Sequence, residues 1–253
     1  ALYLMSSMRQ FERADVAIFA DPCAEHEDTY KVLDWLLEWS KQCADAVPIE
    51  VVKTNIKDDV LNGVNARGSS FVALPAFVIN EQGEKGMVRH RQCTGDYKIT
   101  PIYKKVRELY GLKPRQRLPK TEMWLGISID EYSRMKPNKH TKITNRFPLI
   151  EMEMSRTDCK RFFEDNGFIT PVKSACVFCP FHSDKMWIDL KKENGQAWEL
   201  VKEVDKSLRE RINNGMRNQQ YLHSSCKPID EVIFKHEDQI DMFDNECEGH
   251  CGL

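Results

Sequence analysis

The sequence predicts an α/β protein with a doubly wound, mostly parallel sheet and a C-terminal helical part that carries cysteines. Two observations support this fold class. Before residue 150, short apolar runs alternate with segments of helical apolar spacing, which is typical of parallel strands joined by crossover helices. Beyond Pro148 the spacing is mostly helical. We therefore expect a nucleotide-binding α/β region over residues 1–150 and a helical, cysteine-rich region over residues 151–253.

Local patterns predict the elements of the first region. Short apolar runs predict strands, and apolar residues three or four apart predict helices. For the helix predicted at 101–110, Pro101 at the start and Gly111 after the end are further signals. In chain order the predictions are a helix at 2–8, a strand at 16–20, a helix at 27–44, a strand at 49–52, helices at 55–61 and 101–110, and a strand at 123–129.

Helix signals continue in the second region. Ser155 followed by Asp158 has the spacing of a capping box, in which each side chain bonds the backbone N–H of the other residue. Residues 184–192 and 197–212 carry helical spacing, and the chain ends in an acidic, irregular segment. These features predict a succession of helices.

Composition limits the class of protein. The 253 residues are 41% hydrophobic and 30% charged, and no apolar run approaches the roughly 18 residues that cross a bilayer. The first residues lack the pattern of a signal peptide, so we expect a cytoplasmic protein without membrane contact. Nine cysteines in a reducing compartment favour a metal, a cluster or redox chemistry over disulfides.

Positive charge is concentrated in the middle of the chain. Residues 85–146 contain 16 Lys or Arg against 5 Asp or Glu, although the net charge of the whole chain is -2. Such a segment suits contact with a polyphosphate or a nucleic acid, because Lys and Arg hold phosphates. The alternative is a solvated basic surface balanced by acidic neighbours.

Two pairs of cysteines have the spacing of ligands. Cys176 and Cys179 form a C-x2-C pair, and Cys247 and Cys251 form a C-x3-C pair. A C-x2-C turn supplies two thiolates to zinc or to an iron–sulfur cluster, and either group needs further ligands. His182, close behind the first pair, could complete a zinc site or cap a helix.

Five segments carry a resemblance to a known family. They are FADPCAEHEDTY (19–30), RQCTGDYKITPI (91–102), WLGISIDEYSR (124–134), SACVFCPFHSD (174–184) and NECEGHCGL (245–253). Together they resemble the 3'-phosphoadenylyl sulfate (PAPS) reductases, including the phage and prophage types, and the wider group of PP-loop ATP pyrophosphatases. The resemblance implies an adenine nucleotide alpha-hydrolase-like fold. The family's first strand and phosphate-binding loop have no counterpart, so we expect an N-terminally shortened chain.

The resemblance implies a nucleotide site. It places Asp21 and Glu25 beside the adenosine, although acids in a first helical turn are also favoured by the helix dipole alone. It implies ATP or another adenine nucleotide with Mg²⁺. The implied nucleotide-binding residues also include Arg89, Arg91 and Gly126, and the implied catalytic cations are Lys98 and Arg134. Each cation could instead be an ordinary surface residue.

The resemblance also implies a four-iron cluster, for which zinc is the alternative. It adds Cys93 to Cys176 and Cys179, with Gln92 in the place of a second cysteine. The candidates for the fourth ligand are Cys159, Cys247 and Cys251. The tail resembles an ending that carries a mobile nucleophilic cysteine, so its two thiols are open to both roles; we assign Cys247 as a ligand and Cys251 as the nucleophile.

These residues predict an enzyme of adenylyl-dependent sulfur transfer, with a tRNA or DNA acceptor, a sulfur donor protein and a homodimeric assembly. One alternative is a thiol-dependent sulfonucleotide reductase served by a thiol reductant protein. Ser128 and Ile129 argue against it, because they stand where the family has two sulfate-binding arginines. A second alternative is a zinc-stabilised nucleic-acid-binding module without catalysis.

Overall fold

The computed structural model describes residues 1–65, 74–88, 92–171, 174–211 and 217–235. Within these ranges the chain is mixed α/β. The helices are α1 (Leu2–Ser7), α2 (Glu27–Gln42), α3 (Ile56–Leu61), α4 (Gln92–Thr94), α5 (Thr100–Leu109), α6 (Pro148–Glu151), α7 (Arg156–Asp165), α8 (Asp184–Glu193) and α9 (Gly195–Glu210). A π-helical turn, Gly95–Ile99, joins α4 to α5, and 3-10 helices span Ile129–Arg134 and Ile229–Glu231.

The described strands form three small sheets. They are β1 (Ala17–Asp21), β2 (Ile49–Lys53), β3 (Ala76–Ile79), β4 (Lys85–Val88), β5 (Thr121–Trp124), β6 (Ile143–Arg146) and β7 (Gln220–Tyr221). Strands β1 and β2 are parallel, as are β5 and β6, whereas β4, β3 and β7 form an antiparallel sheet. The single doubly wound sheet is therefore not confirmed.

The two parallel pairs are joined by side chains and not by strand hydrogen bonds. Ala20 of β1, Ile102 and Val106 of α5 and Ile143 of β6 share one apolar cluster. Ala17 and Ile18 of β1 and all four residues of β5 line one cleft of about 560 Å³. Because backbone groups across such a cleft are out of hydrogen-bonding reach, the pairs remain separate sheets.

Most predicted elements of the first region are confirmed to within a few residues. The exception is the strand predicted at 123–129, since β5 ends at Trp124. There the chain turns, with the N–H of Ile127 donating to the carbonyl of Leu125 at 2.9 Å. Leu125 and Ile127 are buried. The apolar run thus reflects burial in a turn, which periodicity cannot distinguish from a buried strand.

The helices of the second region are also confirmed. At the start of α7 the Ser155 hydroxyl accepts from the Asp158 N–H at 3.1 Å, and the Asp158 carboxylate accepts from the Ser155 N–H at 2.9 Å. These two bonds are the capping box that the sequence predicts. No helix in the described ranges is long and apolar enough to cross a membrane.

The larger apolar cluster draws on both sides of residue 150. It joins Ile56 and Tyr97 to Phe178, Trp187 and Leu208, each of which is almost fully buried. Helix α9 supplies one face of this cluster through residues spaced three or four apart, as expected of an amphipathic helix. The division at residue 150 stays a prediction, and the core extends across it.

Candidate functional site

A cavity of about 540 Å³ lies beyond the carboxyl ends of β1, β2 and β5. Pro22 directly follows β1, Ile56 lies three residues after β2, and residues 125–128 directly follow β5. In α/β proteins ligands bind at this end of the strands. The volume falls within the range of small-molecule sites, about 300–1,000 Å³.

The cavity brings together six of the residues that the sequence singled out. They come from the segment around α4 and the π-helical turn, from the segment after β5, and from the C-x2-C turn. They are Cys93, Lys98, Gly126, Arg134, Cys176 and Cys179. The predicted residues Arg89, Arg91, Cys247 and Cys251 lie outside the described residues.

Backbone hydrogen bonds hold the C-x2-C turn against the end of β1. The Val177 N–H donates to the Ala24 carbonyl at 2.8 Å, and Cys176 forms a β-bridge with Glu25. The turn closes as the Cys179 N–H donates to the Cys176 carbonyl at 2.9 Å. Val177 and Phe178, between the cysteines, are buried in the core. The apolar residues thus anchor the turn while both cysteines line the cavity.

Cys93 lies close enough to this turn for the thiols to interact electrostatically. Cys93 and Cys176 pack against the same apolar cluster. Burial, then the Glu25 carboxylate, raises the pKa of the Cys176 thiol well above its usual range; Lys98 opposes this, and Cys179 and Cys93 add to it. At neutral pH the Cys176 thiol therefore keeps its proton, which a bound metal would have to displace.

A buried ion pair lies behind the thiols. Lys98 Nζ donates to Glu25 Oε1 at 2.7 Å, and the Ser174 hydroxyl donates to Glu25 Oε2 at 2.8 Å. The two charged side chains are 9% and 1% exposed, respectively. Lys98 lines the cavity, whereas Glu25 lies behind it and holds the lysine in place. Glu25 therefore positions Lys98 and is not itself part of the cavity wall.

Asp21, the other predicted acid, is also engaged inside the protein. Its carboxylate accepts from the Tyr30 hydroxyl and from the Cys23 N–H, both at 2.8 Å. Burial, then the hydrogen bond to Asp21, raises the pKa of Tyr30. Because Asp21 is only 4% exposed and is absent from the cavity wall, these contacts shape the turn after β1.

Arg134 presents an unused donor at the cavity. Its Nη1 donates to the Glu131 carboxylate, which also lines the cavity. Its Nε is buried, and no hydrogen-bond partner for it exists among the described residues. A buried guanidinium nitrogen without a partner is costly, and an anionic ligand would satisfy it.

Three further cavity residues were missed or left open by sequence reasoning. Cys159, near the start of α7, lines the same cavity as the C-x2-C turn. Burial raises the pKa of its thiol. Ser174 and Arg156 also line the cavity. Ser174 could have been found from the sequence, because it lies two residues before Cys176 of the C-x2-C pair. Arg156 follows the capping residue Ser155, and that position indicated no functional role.

The thiols suit a soft metal but do not form a closed site among the described residues. No group of three or more His, Cys, Asp or Glu side chains in those ranges is arranged to hold a metal ion. Cys93, Cys176, Cys179 and Cys159 nevertheless line one cavity. Thiolates are the ligands of iron–sulfur clusters and of structural zinc, so the donor chemistry fits either group.

The chain was compared with protein-family models, with curated proteins and with solved structures, and none of the three comparisons found a match. A functional assignment therefore depends on the cavity and its residues.

Proposed function

We propose that this chain binds an adenine nucleotide in the cavity and carries out adenylyl-dependent sulfur transfer, with an iron–sulfur cluster at the cavity wall. One observation carries the proposal. One cavity at the carboxyl ends of β1, β2 and β5 collects three cations, Lys98, Arg134 and Arg156, and four cysteines, Cys93, Cys159, Cys176 and Cys179. Cations suit phosphates and clustered thiols suit sulfur chemistry, and their meeting in one site supports a reaction that needs both.

The nucleotide would lie with its phosphates at Lys98 and Arg134. The Arg134 guanidinium offers a planar fork of donors, and Lys98 offers a point charge. Leu125 and Ile127 supply apolar surface for the adenine ring. Gly126 leaves the backbone between them uncovered, since a Cβ there would meet only a Leu149 methyl at 4.0 Å.

The proposed reaction has two displacements. An acceptor oxygen attacks the α-phosphorus of ATP, a new P–O bond forms, and pyrophosphate leaves. A sulfide brought by a sulfur donor protein then attacks the adenylated carbon, so that a C–S bond forms, the C–O bond breaks and AMP leaves. Lys98 and Arg134 would stabilise the negative charge on the phosphate oxygens in both steps. Mg²⁺, when bound, would neutralise part of the negative charge of the phosphates.

Cys93, Cys176 and Cys179 would hold the cluster, and Cys159 or Cys247 would provide a fourth thiolate. When bound, the cluster would supply iron able to hold a sulfide. The aromatic ring of Phe181 lines the cavity near the thiols, and such an apolar neighbour limits the access of water. The cysteines of the same turn, together with His182, would also suit zinc. The zinc-stabilised nucleic-acid-binding module therefore stays the alternative.

We also propose that the two parallel pairs belong to one doubly wound sheet. The cleft of about 560 Å³ lies between the facing strands β1 and β5. An extended segment placed there would pair with both strands and join β2, β1, β5 and β6 into one parallel sheet. The proposal further includes a cytoplasmic location and a nucleic-acid acceptor, and the homodimer stays a prediction.

The cluster is tested by anaerobic purification followed by absorption spectroscopy and analysis of iron, sulfide and zinc. We expect about four irons per chain in the wild type, most of them lost in Cys176→Ala. Cys43→Ala is the matched control, since Cys43 follows α2 and is not part of the cavity wall. One zinc per chain and no iron would overturn the cluster and favour the binding module.

The nucleotide site is tested by titration with a fluorescent ATP analogue. We expect Arg134→Gln to weaken binding about tenfold, in line with the loss of a charge-assisted hydrogen bond of about 1.5–3 kcal/mol. Arg161→Gln is the control, because Arg161 is exposed on α7, pairs with Asp158 and is not part of the cavity wall. Equal affinity of the wild type and both variants for the analogue would show that Arg134 does not contact the nucleotide. Sulfite release from adenylyl sulfate, without pyrophosphate release from ATP, would favour the reductase instead.

A further inference from the structure

We propose that two basic loops at the amino ends of β5 and β6 form a binding surface for a nucleic-acid duplex, which they contact through its phosphates. The basic loops are residues 111–120, before β5, and residues 135–142, before β6. The inference deepens the proposed function by giving its nucleic-acid partner a surface, and it stands on observations separate from the cavity.

Strand pairing brings the two loops together. Thr121, the first residue of β5, lies opposite Ile143, the first residue of parallel β6. The Thr121 N–H donates to the Lys142 carbonyl at 2.9 Å, which ties the end of one loop to the end of the other. Neighbouring strands lie about 4.8 Å apart, so the loops form one continuous surface at this edge of the sheet.

The surface is positively charged throughout. The first loop contains Lys113, Arg115, Arg117 and Lys120, and the second contains Lys136, Lys139 and Lys142. All seven residues are exposed, and neither loop contains an Asp or a Glu. Such an acid-free patch raises the local concentration of a polyanion.

These cations differ from several other exposed cations of the protein, which are held in ion pairs. Lys31 and Lys41 on α2 and Lys206 on α9, for example, pair with carboxylates three or four residues away. Within the described part of the chain no carboxylate pairs with the following basic-loop residues: Lys113, Arg115, Arg117, Lys120, Lys139 and Lys142. Their charge is therefore available to a partner.

Internal hydrogen bonds fix the backbone that presents these cations. In the first loop the Gln116 side chain accepts from the Lys113 N–H at 2.6 Å, and Leu118 is buried in the apolar cluster with α5. In the second loop the Asn138 side chain accepts from the Tyr103 hydroxyl and from the His140 N–H, both at 2.8 Å. A preorganised surface loses less conformational entropy on binding than a flexible one.

The chemistry of the loops favours a duplex over other polyanions. Neither loop contains Phe, Trp or Tyr. Single-stranded nucleic acid is held largely by stacking on aromatic side chains, and membrane interfaces are entered by aromatic and leucine side chains. Leu118 is buried and cannot insert into lipid. Contacts to phosphates alone suit a duplex, whose bases are already stacked on one another.

The surface and the cavity occupy opposite ends of the sheet. β5 has four residues, which span about 13 Å. The basic loops precede it, and the cavity residues 125–128 follow it. The loops would therefore anchor the backbone of a duplex at a distance from the cavity.

The test measures binding of a fluorescein-labelled DNA duplex by anisotropy, from about 50 to 200 mM salt. We expect affinity to fall steeply with salt. Two triple variants, R115Q/R117Q/K120Q and K136Q/K139Q/K142Q, should each weaken binding about tenfold or more. Each removed phosphate contact should lower the salt slope by about 1. An RNA duplex of the same sequence should compete, since the contacts are to phosphates.

The matched control is K31Q/K41Q/K206Q, which removes three exposed cations that are paired elsewhere. It should bind within about twofold of the wild type, and circular dichroism should show all variants folded. Equal losses in the control and the loop variants would overturn the surface. So would binding to phosphatidylserine vesicles, or to single-stranded DNA, in preference to the duplex. Cys176→Ala should bind the duplex normally, so a failure of the proposed sulfur transfer would leave this result intact.

Discussion

At the scale of single residues, buried charges determine how the cavity is built. Lys98 lies in the cavity wall, and Glu25 and Ser174 hold it from behind. A buried pair contributes little net stability, but the loss of one partner leaves an uncompensated charge. The pair therefore fixes the position of Lys98, and substitution of either partner should destabilise the protein.

Substituting Glu25→Gln should destabilise the protein by about 3 kcal/mol, because Lys98 would stay buried without its countercharge. Urea unfolding measures the change. Glu38→Gln is the control, since Glu38 pairs with Lys41 at the surface of α2 with 61% of its side chain exposed, and it should change stability far less than Glu25→Gln. A similar small effect for both variants would mean that the Lys98 ammonium has water or another partner in solution.

Asp205 on α9 is a second buried acid with a structural role. Its side chain is fully buried, and it accepts from the N–H groups of Leu222 and Ile229 and from Arg209 Nε, at 3.0–3.2 Å. Burial raises the pKa of this carboxyl above its usual value of 3.8, and the three hydrogen bonds oppose that rise. A raised pKa in the folded state means that the folded protein binds the proton more tightly than the unfolded chain.

The contribution of Asp205 to stability should therefore be greatest below pH 3.8 and should be lost as pH rises through the folded-state pKa. Asp205→Asn cannot titrate, so the free energy of unfolding of the wild type relative to this variant should fall as pH rises from about 4 to 7. Urea unfolding across that range measures it. A difference that grows with pH would show that the hydrogen bonds outweigh burial.

At the scale of elements, helix starts place the cavity residues. The capping box of Ser155 and Asp158 begins α7 at Arg156, and Cys159 follows three residues later, at the end of the first turn. Both of those residues line the cavity. Local capping thus fixes which face of α7 meets the site, since the cap sets the residue at which the helix begins.

Ser155→Ala should cost about 1 kcal/mol, because the Asp158 N–H loses its acceptor. The melting temperature followed by circular dichroism reports this loss. Ser40→Ala, inside α2, is the control; its hydroxyl donates to the Leu37 carbonyl of the same helix and caps no free N–H, so removing it should cost less. If α7 were held by tertiary packing alone, the two variants would melt together.

At the scale of the whole molecule, one core connects residues before position 150 to the cysteine-bearing helices after it. Ile56 and Tyr97 pack in the same cluster as Trp187 and Leu208. The C-x2-C turn belongs to this cluster through Phe178. The cavity is therefore formed only when residues from both sides of residue 150 are packed together.

Leu208→Ala should destabilise the protein by about 3 kcal/mol while keeping a single unfolding transition, because it opens a cavity in a fully buried part of the shared core. Guanidinium unfolding followed by tryptophan fluorescence and by circular dichroism gives the comparison. Leu109→Ala, where the side chain is 47% exposed at the end of α5, should have a small effect. Two transitions that differ between the probes would contradict a shared core.

Local sequence patterns were enough to predict most of the elements and to single out the motif residues. Apolar spacing located β1, β2 and most helices, and the motif segments singled out Cys93, Lys98, Arg134 and the C-x2-C pair. These features depend on residues near one another in the chain, so a local pattern records them.

Long-range packing determined how these elements are arranged relative to one another. It ended β5 at Trp124, separated the parallel strands into two pairs, and turned Glu25 and Asp21 into internal supports. It also added Cys159 to the cavity and joined the basic loops at one edge of the sheet. Such outcomes depend on packing between residues far apart in the chain, and no local periodicity encodes that packing.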